Sequence, residues 1–163
     1  MLQKKFLDFH FKKIQEQETI YNFSLELKKV KKILVILPSE DEYAVNIQSF
    51  VKRLTEIFEK TRVSTFVNST LRKTDISWLG VPNEQYLKSI QDEQFDLVVD
   101  INIVQDRICA YLCALSGASM RLNLAPGEYD YIYNLQFRAD PQKQLNEQLN
   151  NIISYFVFLK NQN

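Results

Sequence analysis

A chain of 163 residues, 45% hydrophobic and 25% charged, has the size and composition of one soluble globular domain, which buries about two thirds of the surface its unfolded chain exposes. Twenty basic and twenty acidic residues cancel, so no global field draws it to nucleic acid or an acidic membrane, and no apolar run approaches the ~20 residues that span a bilayer. The three glycines, Gly80, Gly117 and Gly127, stand too far apart for a dinucleotide fingerprint or a P-loop, in which closely set glycines let backbone N–H groups approach phosphates; no cofactor is expected.

Charges interrupt every apolar stretch of MLQKKFLDFHFKK, which does not read as a signal peptide. Two cysteines make no disulfide framework, and the expected location is cytoplasmic. Residues 3–17 are predicted helical, with Phe6, Leu7, Phe9, His10, Phe11 and Ile14 on an uneven apolar face. Residues 18–32 are ambiguous and end in the basic run LKKVKK. Together 1–32 form an N-terminal helical extension to a core at 33–160, one domain in all.

The core opens with ILVIL at 33–37, a short continuous apolar run of the kind found in a central parallel strand covered on both faces. Ser39 followed by Glu42 is a capping box announcing a helix, along which Ile47, Phe50, Val51, Leu54 and Phe58 recur at helical spacing. STFVN at 64–68 completes a β-α-β unit. Residues 69–83 read as loop with a possible short strand at 75–79, and 84–93 as a short helix. FDLVVDI at 95–101 is a second buried strand. QDRICAYLCALSG at 105–117 is a helix with Ile108, Leu112 and Leu115 inward and Gly117 as its stop. SMRLNL at 119–124 and the alternating YIYNLQF at 131–137 are strands around an APGEYD turn. Asp140 caps a closing helix with Pro141 at its first position and Leu145, Leu149, Ile152, Ile153, Phe156 and Leu159 as its core stripe. Strands alternating with helices predict a three-layer, Rossmann-like α/β domain with a mostly parallel sheet and helices on both faces.

FDLVVDINIVQDRICAYLCALSGASMRLNL at 95–124, together with ILVILPSEDE at 33–42, resembles the N-terminal domain of the family 9 glycosyltransferases, the heptosyltransferase family. There a strand of the type YDLVIDLQ leads to a helix ending LSGA and then to an Arg before an apolar residue and Gly. Phe95 to Asp100, Leu115 to Ala118 and Arg121 fall on that pattern. The resemblance covers roughly 33–124. It implies descent from one half of a two-domain transferase whose other half binds most of the nucleotide sugar. The chain also resembles short single-domain bacterial proteins of about this length. Two departures stand out. The family's turn of Gly then Asp, which supplies its proposed base, is replaced by Pro38-Ser39-Glu40-Asp41-Glu42, and Asn123 replaces the later Gly.

Each candidate site has a structural alternative. Ser39, Asp41 and Glu42 stand where a parallel strand ends and open sheets bind ligands, but acids and a Ser there also suit a helix N-terminus. Asp100 and Asn102 line the same edge or cap the next helix. Arg121 is the third ligand-binding candidate on the family block, and Asp96 is expected to be structural. Cys109 and Cys113, four apart on one helix, lack further ligands for a metal site and read as small buried hydrophobes. His10 is the single histidine, so no multi-histidine site or Ser-His triad is expected, and no catalytic residue is assigned. Lysines 28, 29, 31 and 32 read as a solvated strand entry, and Tyr129, Tyr131 and Tyr133 as a sheet face packed by the closing helix. The expected function is a non-catalytic or partner-dependent binding module, taking a small molecule or a protein. The alternatives are a small transferase on sugar or nucleotide substrates, with a donor site from a second chain, and a structural protein that forms homo-oligomers through its Phe-rich N-terminus.

Overall fold

The computed structural model describes residues 9, 11–12, 22–39, 43–137 and 142–162. Short apolar runs form the middle of a five-stranded, all-parallel sheet. Its strands are β1 (Lys32–Leu37), β2 (Arg62–Val67), β3 (Leu97–Asp100), β4 (Met120–Asn123) and β5 (Leu135–Gln136), in the order β2-β1-β3-β4-β5. Every residue of β3 and β4 is buried, the signature of strands covered on both sides.

Alternate residues of each strand serve opposite layers. Ile33, Val35, Leu97, Val99 and Leu122 pack beneath α1 (Phe23–Lys29), α2 (Ala44–Ile57) and α5 (Leu145–Asn161). Leu34, Ile36 and Val98 pack beneath α3 (Glu84–Asp92) and α4 (Arg107–Leu115). The expected three-layer α/β architecture is therefore present. All six stripe residues of the closing helix α5 are buried, and Phe156 meets Phe58 edge-on at 5.6 Å. The helix is tied to α1 by Ser24 Oγ donating to the Leu159 carbonyl at 2.6 Å. Gly117 follows α4 with φ +82°, a left-handed stop that glycine adopts without a Cβ penalty.

Several expectations are corrected. Helix α2 begins at Ala44 with Tyr43 at its N-cap and no side-chain cap. Ser39 is exposed and Glu42 lies outside the described residues, while Ile47, Phe50 and Leu54 dock the helix on the sheet. Helix α4 has no single inward stripe. Cys109, Ala110, Tyr111, Leu112, Cys113 and Ala114 are all buried, while Ile108 and Leu115 are only partly so, because the helix is covered on nearly every side. Residues 131–137 are not one strand. Asp130–Ile132 is a 3-10 turn and pairing is confined to Leu135–Gln136. The stretch 75–79 carries no strand beyond a single antiparallel bridge from Ile76 to Pro82. Helix α5 starts at Leu145 behind Gln144; Asp140 and Pro141 lie outside the described residues. Of the predicted 3–17 helix, Phe9, Phe11 and Lys12 are described as helical. Phe11 is buried with its ring edge-on to Tyr111, Tyr129 and Tyr131. Those tyrosines thus belong to the α3–α4 layer and not to the layer of the closing helix. His10 lies outside the described residues.

Candidate functional site

Because β2 and β3 lie on opposite sides of β1, the chain leaves β1 toward α2 on one face and leaves β3 toward α4 on the other. Loops that part in this way open a crevice at the strands' carboxyl ends, where doubly wound sheets of this order bind ligands. The β1 exit is Pro38-Ser39, and the β3 exit is the run from Asp100 to Asp106.

Asp100 ends β3 and is 3% exposed. Its Oδ2 accepts the Tyr133 hydroxyl at 2.7 Å, and its Oδ1 accepts the Asn102 backbone N–H at 3.1 Å and the Asn102 side-chain amide at 2.7 Å. Burial raises the carboxyl above its ordinary range although these bonds oppose it. Burial, and then the Asp100 charge, drive the Tyr133 hydroxyl far up. The same two causes push up the Cys109 and Cys113 thiols. Asp106 closes the loop by accepting the Cys109 N–H at 2.9 Å, as the α4 N-cap, and the Asn68 amide at 3.2 Å.

A second polar group locks the exit of β4. Asp130 Oδ1 accepts from Gln105 Nε2 at 2.6 Å, from the Gly127 N–H at 3.0 Å and from Asn123 Nδ2 at 3.3 Å. Gln105 in turn accepts the Tyr129 N–H at 2.8 Å and donates to the Ala125 carbonyl at 2.9 Å. A Cβ on Gly127 would lie 2.4 Å from Gln105 Oε1, so a side chain there would push the Gln105 amide out of this network.

Beside these locks a cleft of about 670 Å³ opens on the α2–α5 side of the carboxyl edge. Leu124, Ala125 and Pro126 from the β4 exit and Ile103 from the β3 exit line it. The first turn of α2 brings Tyr43 and Asn46, and the start of α5 brings Lys143, Gln144 and Gln148. Neither helix has a side-chain hydrogen bond from its N-cap, and both present the positive ends of their dipoles there. Lys143 is the one ionised residue among the described residues lining the cleft, whose other polar groups are amides and a phenol.

The sequence-derived candidates separate. Asp100 and Asn102 come together, but as partners of each other and of Tyr133. Arg121 is buried on β4, with Nε donating to the Ile132 carbonyl at 2.7 Å and Nη1 to the Ala118 carbonyl at 2.9 Å, toward the strand's amino end. Ser39 is exposed on the β1 exit; Asp41 and Glu42 lie outside the described residues. Asp96 is structural as expected, its Oδ2 accepting the Lys31 and Lys32 N–H groups at 2.8 and 2.9 Å. The basic run is engaged, with Lys28 on the Gln162 carbonyl, Lys29 on Glu26, and Lys32 on the Glu93 carbonyl. Cys109 and Cys113 are buried free thiols. Among the described residues no three His, Cys, Asp or Glu side chains gather as a metal set, and no helix is long and apolar enough to cross a membrane. Tyr43, Asn46, Lys143 and Gln148 carry no motif; their signal was positional, at the starts of two helices that the sheet order brings to one edge.

Residues 3–159 match the model of a family of unknown function, DUF6913, and the chain belongs to that family. No curated protein and no solved structure matches it.

Proposed function

We propose that this member of the DUF6913 family is a non-catalytic ligand-binding module, descended from a glycosyltransferase N-terminal domain, whose carboxyl-edge cleft holds a small polar ligand bearing negative charge. The observation that carries this reading is the division of polar groups at the edge. Asp100, Tyr133, Cys109 and Cys113 are buried, and Asp100 and Tyr133 hold each other. Among the described residues the cleft is lined by Lys143, by the amides of Asn46, Gln144 and Gln148 and by the Tyr43 phenol, with no carboxylate or imidazole. A general base must reach the proton it removes, and Asp100, the buried carboxyl among the described residues of this edge, is held by Tyr133 and Asn102 instead. Lys143 and two helix N-termini favour an anion. The strand-helix-strand block 95–124, which carries the resemblance to the transferases, builds the floor of this edge and supports the descent.

The test is a thermal-shift panel of inorganic phosphate, sugar phosphates, nucleotides and nucleotide sugars, followed by calorimetry on any hit. A ligand at a hundredfold its Kd stabilises the native state by about 2.7 kcal/mol. Binding should weaken at least tenfold in Asn46→Leu and Lys143→Glu, with no turnover of nucleotide sugars. A shift by none of the panel at millimolar concentration, or one unaltered by both variants, overturns the assignment. Sugar transfer by the isolated chain would replace it with the transferase alternative.

A further inference from the structure

A second cleft, of about 940 Å³, lies between the 76–82 hairpin, α3 and α4 and shares no lining residue with the first. Its walls are largely carbon: Trp78, Val81 and Pro82 from the hairpin, Leu87 from α3, and Tyr111 and Leu115 from α4. Trp78 is 81% exposed, an unusual place for a residue that normally buries 150–250 Å².

The loop that carries Trp78 is fixed in place. The Ser77 N–H and Oγ both donate to the Val81 carbonyl at 2.8 Å, and the Gly80 N–H donates to the Ser77 carbonyl at 2.9 Å. Gly80 takes φ +72°, and Arg107 Nη2 reaches its carbonyl at 3.3 Å. Asn83 fastens the far end, its N–H on the Asp75 carbonyl and its side chain on that of Thr74. A pinned hairpin fixes the backbone that carries the indole, so a ligand need not bear the cost of ordering the loop.

Charge selects the occupant. Glu84, in the first turn of α3, is the one ionised residue among the described residues lining this cleft. Its field reaches the groove, because burial and then the Glu84 charge raise the Tyr111 hydroxyl. Glu84 is exposed at the groove, so a neutral apolar ligand gains nothing from its carboxylate. A cation returns an ion pair, and aromatic faces attract it further. The first cleft has the opposite polarity, with Lys143 as its ionised residue.

We propose that the groove between the Trp78 hairpin and helices α3 and α4 is a second binding site, for a small apolar organic cation that Glu84 pairs and Trp78 covers.

Trp78 is the only tryptophan, so its fluorescence, excited selectively over the tyrosines, reports this groove. The full chain is titrated with benzyltrimethylammonium, benzyl alcohol and benzoate as probes. The cation should give a saturable change with a millimolar or tighter dissociation constant, and both other probes should bind at least fivefold more weakly. Glu84→Gln, with its fold checked by near-UV circular dichroism, should weaken the cation at least threefold and leave benzyl alcohol unchanged. Trp78→Ala, followed by calorimetry, should lose the cation. A linear, unsaturable response, equal binding of the three probes, or no effect of Glu84→Gln overturns the proposal. Light scattering that shows a dimer abolished by Trp78→Ala also overturns it, since a second copy would then fill the groove.

Discussion

Removing the Tyr133 hydroxyl should destabilise the fold by an amount that grows with pH. Tyr133→Phe keeps the ring, which is 4% exposed, and deletes one donor, the O–H held 2.7 Å from Asp100 Oδ2. When Asp100 is ionised, a hydrogen bond to a charged group is lost, worth about 1.5–3 kcal/mol; when it is protonated, a neutral bond worth about 0.5–1.5 kcal/mol is lost. For a chain of this size each kcal/mol moves Tm by about 2–4 °C, so the expected drop is roughly 3–12 °C on the alkaline side and less on the acid side.

The sign follows from linkage. Burial raises the folded Asp100 carboxyl above its ordinary 3.8. The unionised group therefore favours folding. That contribution is complete below the unfolded value and is lost as pH rises through the raised folded value. The Tyr133 bond opposes the rise, so Tyr133→Phe pushes the carboxyl higher still and deepens the loss across the same interval. Asp100→Asn should abolish the slope, and in that background Tyr133→Phe should cost only about 1 kcal/mol, the neutral bond. Urea unfolding followed by circular dichroism, with each variant compared with the parent at the same pH between 4 and 8.5 (roughly spanning the interval above the ordinary carboxyl value), isolates this pair. A Tyr133→Phe penalty that is flat with pH, or a slope surviving in Asp100→Asn, refutes the reasoning.

Three other outcomes follow from packing and backbone geometry. Phe156→Ala empties a fully buried site against Phe58 and should cost about 3–5 kcal/mol in urea unfolding; a loss under about 1 kcal/mol would mean that α5 is not docked as described. Gly117→Ala meets no atom within 4 Å but must hold φ +82°, so it should cost about 1–2 kcal/mol from backbone strain alone, and Gly117→Asn, which tolerates this region, should cost less in the same assay. The buried Cys109 and Cys113 thiols, raised by burial and by the Asp100 charge, should react with a chromogenic disulfide at pH 8 (near the ordinary thiol value of ~8.5) only at the rate of unfolding; stoichiometric labelling of the native chain within seconds would contradict their placement.

What the sequence disclosed and what it hid divide along a physical line. Patterns that record burial on a known period were legible. ILVIL became β1, the α5 stripe was buried at all six positions, and Gly117 stopped α4. Signals that depend on partners remote in sequence were misread. The alternating tyrosines look like a strand because their spacing is two. Yet Tyr133 turns inward to reach Asp100 33 residues away, and a 3-10 turn delivers it. Ser39 and Glu42 have the spacing of a capping box, but local spacing cannot say where packing starts the helix, and here it starts at Ala44. Helix α4 hid its burial because Ala and Cys weigh little in a periodicity and permit close approach on several sides.

The same line explains the candidate site. Asp100, Asn102 and Arg121 were legible as polar residues in an apolar block, and those residues must find internal partners if the block is buried. They found them in Tyr133, in each other, and in the Ile132 and Ala118 carbonyls. A polar residue noticed because it interrupts a buried strand is thereby selected for structural duty. Ligand groups must instead keep hydrogen-bonding capacity for something outside the chain, so they stand in ordinary polar surroundings where nothing marks them. In the proposed site Asn46 and Lys143 are of that kind. They lie 97 positions apart by their numbering and meet only because the strand order carries α2 and α5 to one end of the sheet. In a chain without glycine-rich or metal-binding motifs, topology finds the binding edge, and the residues there follow from which helices begin at it.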